Sequence, residues 1–132
     1  MIIILVHWLI RKDSEEAFKQ FWSRMSIQKG TGLYREMLTQ PSPQDDPKFN
    51  TFSITDLSYT TFINVGLWRS VEDFDKAVGR YIPPTTEDIN PNTGRMQRSI
   101  VLEQFEFKIR ERIVLDVISD RDGGLALPPA QL

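Results

Sequence analysis

Nine residues near the start of the chain, Ile2 to Ile10, are apolar except for His7. The run is too short for a membrane helix, which needs roughly 20 apolar residues, and its Ile, Leu and Val content suits a buried strand. A strand that is apolar on both faces belongs in the middle of a sheet that is covered on both sides. The rest of the chain must therefore supply flanking strands and the helices to lie over them. The run also lacks the basic stretch and small-residue cleavage site of a secretory signal.

The segments after it meet that demand in a recognisable order. Asp13 and Glu16 have the spacing of a capping box, and Ala17, Phe18, Phe21, Trp22 and Met25 follow at helical spacing. Gly30 and Gly32 end this helix, and Leu33 to Thr39 is a second strand candidate. Residues 40–58 hold three prolines and two adjacent aspartates, a long connection with a candidate short edge strand at Thr51 to Thr55. Tyr59 to Trp68 is a third strand, rich in Thr, Ile, Phe and Val. Ser70 and Asp73 cap a second helix whose stripe is Phe74, Ala77, Val78 and Tyr81, halted by Pro83 and Pro84. Residues 95–104 suit a short helix. Phe105, Phe107, Ile109, Ile113, Leu115 and Val117 then alternate with charged neighbours as a last strand.

Strand, helix, strand, strand, helix, strand is the split βαβ pattern of a ferredoxin-like α+β domain with an antiparallel sheet. Residues 1–119 form this domain and residues 120–132 a tail. With helices on one face only, the other face of the sheet needs cover, and a second copy across a two-fold axis is the economical source. The chain is thus expected to be a homodimer.

Charge and composition exclude several function classes. The net charge is −2, from 16 basic and 18 acidic side chains. Phosphate-neutralising clusters are the footprint of nucleic-acid binding, and the nearest approach to one is Lys108, Arg110 and Arg112, interleaved with Glu111 and close to Glu106. No nucleic-acid and no membrane partner is expected. The absence of cysteine rules out disulfides and thiolate chemistry and is compatible with a cytoplasmic location. With one histidine and no zinc-ligand pattern, no metal site is expected. Gly30-Thr31-Gly32 follows a helix and opens a strand, the wrong context for a phosphate loop.

The segment Phe62-Ile63-Asn64-Val65-Gly66-Leu67-Trp68-Arg69-Ser70-Val71-Glu72-Asp73-Phe74 carries a hydrophobic strand ending in Trp, a Ser cap, an acidic pair and a helix-opening Phe. It resembles the antibiotic-biosynthesis-monooxygenase-like family of dimeric α/β barrels, and the split βαβ order extends the resemblance over most of residues 1–119. The resemblance implies a sheet-to-sheet homodimer with a cavity between sheet and helices for a small hydrophobic or aromatic molecule. In its quinol-oxidising branch it implies cofactor-independent oxygenation of a phenol or quinol. It also implies that an Asn and a Trp in this segment hold the substrate, so Asn64 and Trp68 are its candidates. The haem-degrading branch uses a histidine on the second helix as iron ligand. Residues 69–99 contain none, which leaves Tyr81 as the sole candidate ligand there and speaks against haem.

The residues themselves allow the same site. Side chains two apart on a strand share a face, so Thr60, Phe62, Asn64, Gly66 and Trp68 align, with Gly66 leaving a gap for a flat ligand. An Asn amide can stabilise a developing oxyanion. His7, the one histidine, is the natural general base; parity sets it with Ile3, Leu5 and Leu9, opposite Val6 and Trp8. Trp22, Tyr81, Phe62 and Phe18 are candidate walls, Tyr34 and Tyr59 further phenolic donors, and Arg35, Arg69 and Arg80 candidate partners for an acidic substrate. Each has a plainer reading beside it: Asn64 as a satisfied buried amide, His7 and the aromatics as core. Two functions therefore stay open, a cofactor-independent monooxygenase with Asn64 and His7 as its catalytic pair, and a non-catalytic ligand-binding or stress-associated dimeric barrel protein.

Overall fold

The computed structural model describes residues 1–25, 27, 29–43, 45–49, 58–78 and 107–131. Strand β1 (Ile2–Arg11) leads through a 3-10 turn at Lys12–Ser14 into helix α1 (Glu15–Arg24). Strands β2 (Leu33–Thr39) and β3 (Tyr59–Trp68) follow, then helix α2 (Val71–Val78) and strand β4 (Phe107–Asp116). The fold is α+β: the four strands form one antiparallel sheet in the order β2-β3-β1-β4, and two helices accompany it. The apolar run at the start is indeed a central strand, paired along its length with β3 and β4.

Both helices pack on one face of the sheet. Ile4, Val6, Trp8 and Ile10 of β1 and Phe62 and Trp68 of β3 are buried there against Phe18 and Phe21 of α1 and Phe74 and Val78 of α2. The stripe spacing in each helix thus meets the period-two pattern of the strands. Phe18 is fully buried and packs at a tilt against Trp8 and Phe62, with ring centroids 5.2 and 5.0 Å apart. The opposite face presents Ile3, Leu5, Ile63, Val65 and Leu67, all half-buried, with His7 buried among them by its strand position.

Helix starts differ in how they are capped. The backbone N–H of Asp73 donates to Ser70 Oγ at 3.1 Å, as the Ser-x-x-Asp spacing predicts. At α1 the expected Asp13 cap does not form. The chain winds a 3-10 turn first, Ser14 becomes the capping position without a side-chain cap bond, and the Asp13 carboxylate pairs with Arg11 and accepts from Ser14 Oγ. One extra residue enters β4 between the partners of His7 and Trp8, so Lys108 stands opposite Leu9 and Arg112 opposite Val6. After Val117, whose N–H donates to Met1 O, the chain runs without helix or strand to residue 131, with Ile118, Leu125 and Leu127 exposed. The expected edge strand at 51–55, Pro83-Pro84 and the helix at 95–104 lie outside the described residues.

Candidate functional site

Among the described residues the most chemically distinctive place lies between α1 and β2. Glu36 of β2 stands opposite Gly66 of β3, and Leu38 opposite Asn64. This register sets Glu36 on the helix face of the sheet, where it borders the same small cavity as Val6, Trp8 and Phe74. A Cβ built on Gly66 would lie 3.8 Å from Glu36 Oε2 and 2.6 Å from Trp68 Nε1.

A directed chain of hydrogen bonds ends at that carboxylate. Trp22 Nε1 donates to Asn64 Oδ1 at 2.8 Å, and the Asn64 side chain hydrogen-bonds Glu36. An indole N–H can only donate, which settles which end of the Asn64 amide is oxygen and turns its NH2 toward Glu36. Asn64 is 6% exposed, so both its bonds are made away from bulk water, where they count most. Burial pushes the Glu36 carboxyl up from 4.5 to about 6, and the Asn64 hydrogen bond partly opposes the rise. Glu36 is therefore an acid–base group poised near neutrality.

Three spaces meet at Glu36. Beneath the helices is a small cavity of about 20 Å³, bounded by Asn64, Trp22 and Glu36 at its polar end and Val6, Trp8 and Phe74 at its apolar end. It has room for one water molecule. Outside it, a cleft of about 490 Å³ opens between the end of α1 and β2, lined by Trp22, Met25, Ile27, Leu33 and Glu36 among others. That is the size range of small-molecule sites. A second opening of about 320 Å³, bounded by Lys19, Trp22, Arg35, Leu38 and Gln131, shares Glu36 from the other side. The end of the chain walls both openings. Arg35 Nη1 donates to the Pro128 carbonyl at 2.8 Å, and Ala130 lines each of them.

Of the residues singled out from sequence, the fold brings Asn64 and Trp22 together in direct contact. Trp68 lies on the same face but is fully buried, edge-on to Phe74 at 5.4 Å, and its indole fills the gap that Gly66 leaves. The gap is thus occupied by the protein's own side chain rather than open to a ligand. Among the described residues the Trp68 Nε1 donor has no hydrogen-bond partner. Phe18 and Phe62 are core and border none of the three spaces. His7 does not share the Asn64 face. Its register partner is Ile63, and the period of two that buries Val6 and Trp8 under the helices turns His7 to the other side of the sheet. It therefore cannot act with Asn64 on one bound molecule within this chain. Tyr81 lies outside the described residues. Glu36 was not among the sequence candidates, and it is the residue on which the site turns.

Among the described residues no group of three or more His, Cys, Asp or Glu side chains could hold a metal ion, and no helix is long and apolar enough to cross a membrane. No protein-family model and no curated protein matches this chain.

Proposed function

We propose that this protein binds a small hydrophobic aromatic molecule bearing an ionisable hydroxyl, of the phenol or quinol type, between α1 and β2, and that Glu36 takes the hydroxyl proton. The observation that carries this reading is the Trp22–Asn64–Glu36 chain, which ends in a carboxylate of pKa about 6 at the edge of a 490 Å³ cleft. At pH 7 most of this carboxylate is ionised, and its raised pKa makes it a stronger base than an exposed glutamate. Asn64 keeps it oriented, and Trp22 offers a ring face to a flat ligand.

The family resemblance suggests the second step, oxygenation of the resulting anion by molecular oxygen without a cofactor. At a ring CH para to the hydroxyl the atoms balance when one oxygen stays as a carbonyl and the other leaves as water with the ring hydrogen and the hydroxyl proton, four electrons passing from the ring to oxygen as the phenol becomes a quinone. In the same reading the domain is one half of a ferredoxin-like dimeric barrel. The apolar outer face of Ile3, Leu5, Val65 and Leu67 supports a homodimer, and the lack of cysteine a cytoplasmic setting.

One observation favours a second reading, a non-catalytic dimer filled by its own side chains: the cavity beside Asn64 holds a single water, and Trp68 fills the Gly66 gap. A thermal-shift screen with hydroxyaromatics and quinols separates the two. A ligand at 100 times its dissociation constant adds about 2.7 kcal/mol, a rise of several degrees. The proposal expects that rise in the wild type and its loss in Trp22→Ala. Glu36→Gln keeps the rise while oxygen uptake with the same ligand falls by ~10² or more. A flat panel favours the non-catalytic dimer, and a rise untouched by Trp22→Ala puts the ligand elsewhere and removes the proposal.

A further inference from the structure

Two buried groups on the helix face of the sheet each lack what the other has. The Trp68 indole is fully buried, and among the described residues its Nε1–H has no acceptor. Leaving such a donor unsatisfied costs the fold more than a hydrogen bond ordinarily returns.

The Glu36 carboxyl has the opposite deficit. Burial raises its pKa to about 6, and the Asn64 side chain partly offsets that penalty as a hydrogen-bond partner. A carboxylate can accept from about four directions, and a desolvated one needs more than one donor to stay ionised. Lys19, Arg24, Lys29, Tyr34 and Arg35 are the titratable groups that border the openings beside it, and the Asp73 carboxylate of α2 is taken up by Arg69. Burial and Asn64 nonetheless account for the shift.

The two groups meet at Gly66. This residue pairs with Glu36 across the strands and lies two positions before Trp68 on the same face. The point where a Cβ would sit is 2.6 Å from Trp68 Nε1 and 3.8 Å from Glu36 Oε2. Donor and acceptor are thus separated by no more than these two lengths laid end to end, and no side chain on residue 66 intervenes. A change of rotamer in the long Glu36 side chain moves its carboxylate by a distance of that order.

We infer that the Trp68 indole N–H is a second donor to the Glu36 carboxylate, reached across Gly66 when the carboxyl gives up its proton, and that Trp68 is thereby a positioning residue for the base. The inference rests on Glu36 being the base proposed above, and it gives Trp68 a part in the site without contact with the ligand. A bond made to the ionised state favours ionisation and holds the carboxylate in one orientation for the incoming hydroxyl proton.

The test needs no ligand. Proton–nitrogen NMR of the full chain follows the Trp68 indole N–H from acid to mildly alkaline pH. In the wild type the signal moves downfield as Glu36 ionises, with the same midpoint as the Glu36 carboxyl carbon. In Glu36→Gln, which never charges, it stays still. Trp68→Phe removes the donor and keeps a ring against Phe74, so the Glu36 midpoint rises by about one pH unit, the size of effect that a hydrogen bond to a charged group supplies. A Trp68 indole that holds its position while Glu36 titrates, or a folded Trp68→Phe protein with the wild-type midpoint, overturns the inference. If Trp68→Phe does not fold, the wild type and Glu36→Gln decide it alone. A negative result here leaves the hydroxyaromatic screen standing, whereas an indole that follows Glu36 beside a flat screen keeps the bond and removes the ligand site.

Discussion

Replacing Glu36 by Gln is expected to stabilise the protein above neutral pH and to have little effect in acid. The carboxyl is pushed up from 4.5 to about 6 chiefly by burial. A tenfold change in proton affinity corresponds to about 1.4 kcal/mol, so a rise of this size amounts to roughly 2 kcal/mol. The folded pKa lies above the unfolded one, so the proton is held more tightly in the folded state. The contribution of Glu36 to stability is then fully present below about pH 4.5 and is lost as pH rises through 6. Gln keeps the length, the shape and a carbonyl oxygen for the Asn64 amide, but it never charges. The stability difference between Glu36→Gln and wild type should thus grow by about 2 kcal/mol between acid and mildly alkaline solution, about 8 °C in melting temperature for a chain of this size. Urea unfolding followed by far-ultraviolet circular dichroism at a series of pH values measures it, and taking the difference between variant and wild type cancels the other titrating groups. Parallel stability curves for the two proteins across that range would refute the reasoning, because they would mean that the carboxylate is not desolvated in the fold. A carboxylate that costs the fold this much is the kind of group kept for chemistry.

Two further substitutions probe the surroundings of Glu36. Asn64→Ala strips the Trp22 indole of its acceptor and Glu36 of its donor, at a cost of about 1–3 kcal/mol; because the lost bond lowers the Glu36 pKa, the variant should titrate above 6, as read from the carboxyl carbon by NMR. An unchanged titration would mean that Asn64 does not touch the carboxylate. Gly66→Ala puts a Cβ 2.6 Å from Nε1 of the fully buried Trp68, whose indole has nowhere to retreat, so urea unfolding should show a loss of about 1–3 kcal/mol. A neutral Gly66→Ala would show that Trp68 is free to swing out of the gap.

The strands were legible because β1 is apolar but for His7 and its terminal Arg11 and β3 is rich in Thr, Ile, Phe and Val, with Gly and Pro clusters between the segments. The Asn64 face was legible too: Phe62, Asn64 and Trp68 share parity, and the helical stripes had to lie on one side or the other. Which side His7 occupies was not. Parity sets it against Val6 and Trp8, but only the packing of Phe18, Phe21 and Phe74 shows that theirs is the covered face. Glu36 was illegible for a further reason. Its inward position follows from the β2–β3 register, which slips by one residue between Leu33 and Arg35 and so scrambles the alternation of a seven-residue strand. A charged residue in a short edge strand ordinarily faces water, and nothing local marks this one as an exception. The occupied Gly66 gap has a simple cause: the side chain two positions along the same strand is its nearest neighbour on that face, and here that neighbour is a Trp.

The central claim is that Trp22, Asn64 and Glu36 form a ligand site, and NMR tests it directly by titrating the isotope-labelled protein with naphthol. The Trp22 indole N–H and the Asn64 side-chain NH2 each give their own resonance, and both should shift saturably, together with backbone amides of Leu33 to Leu38. Shifts confined to Leu5, His7 and Val65 on the opposite face, or no saturable shift at all, would contradict it.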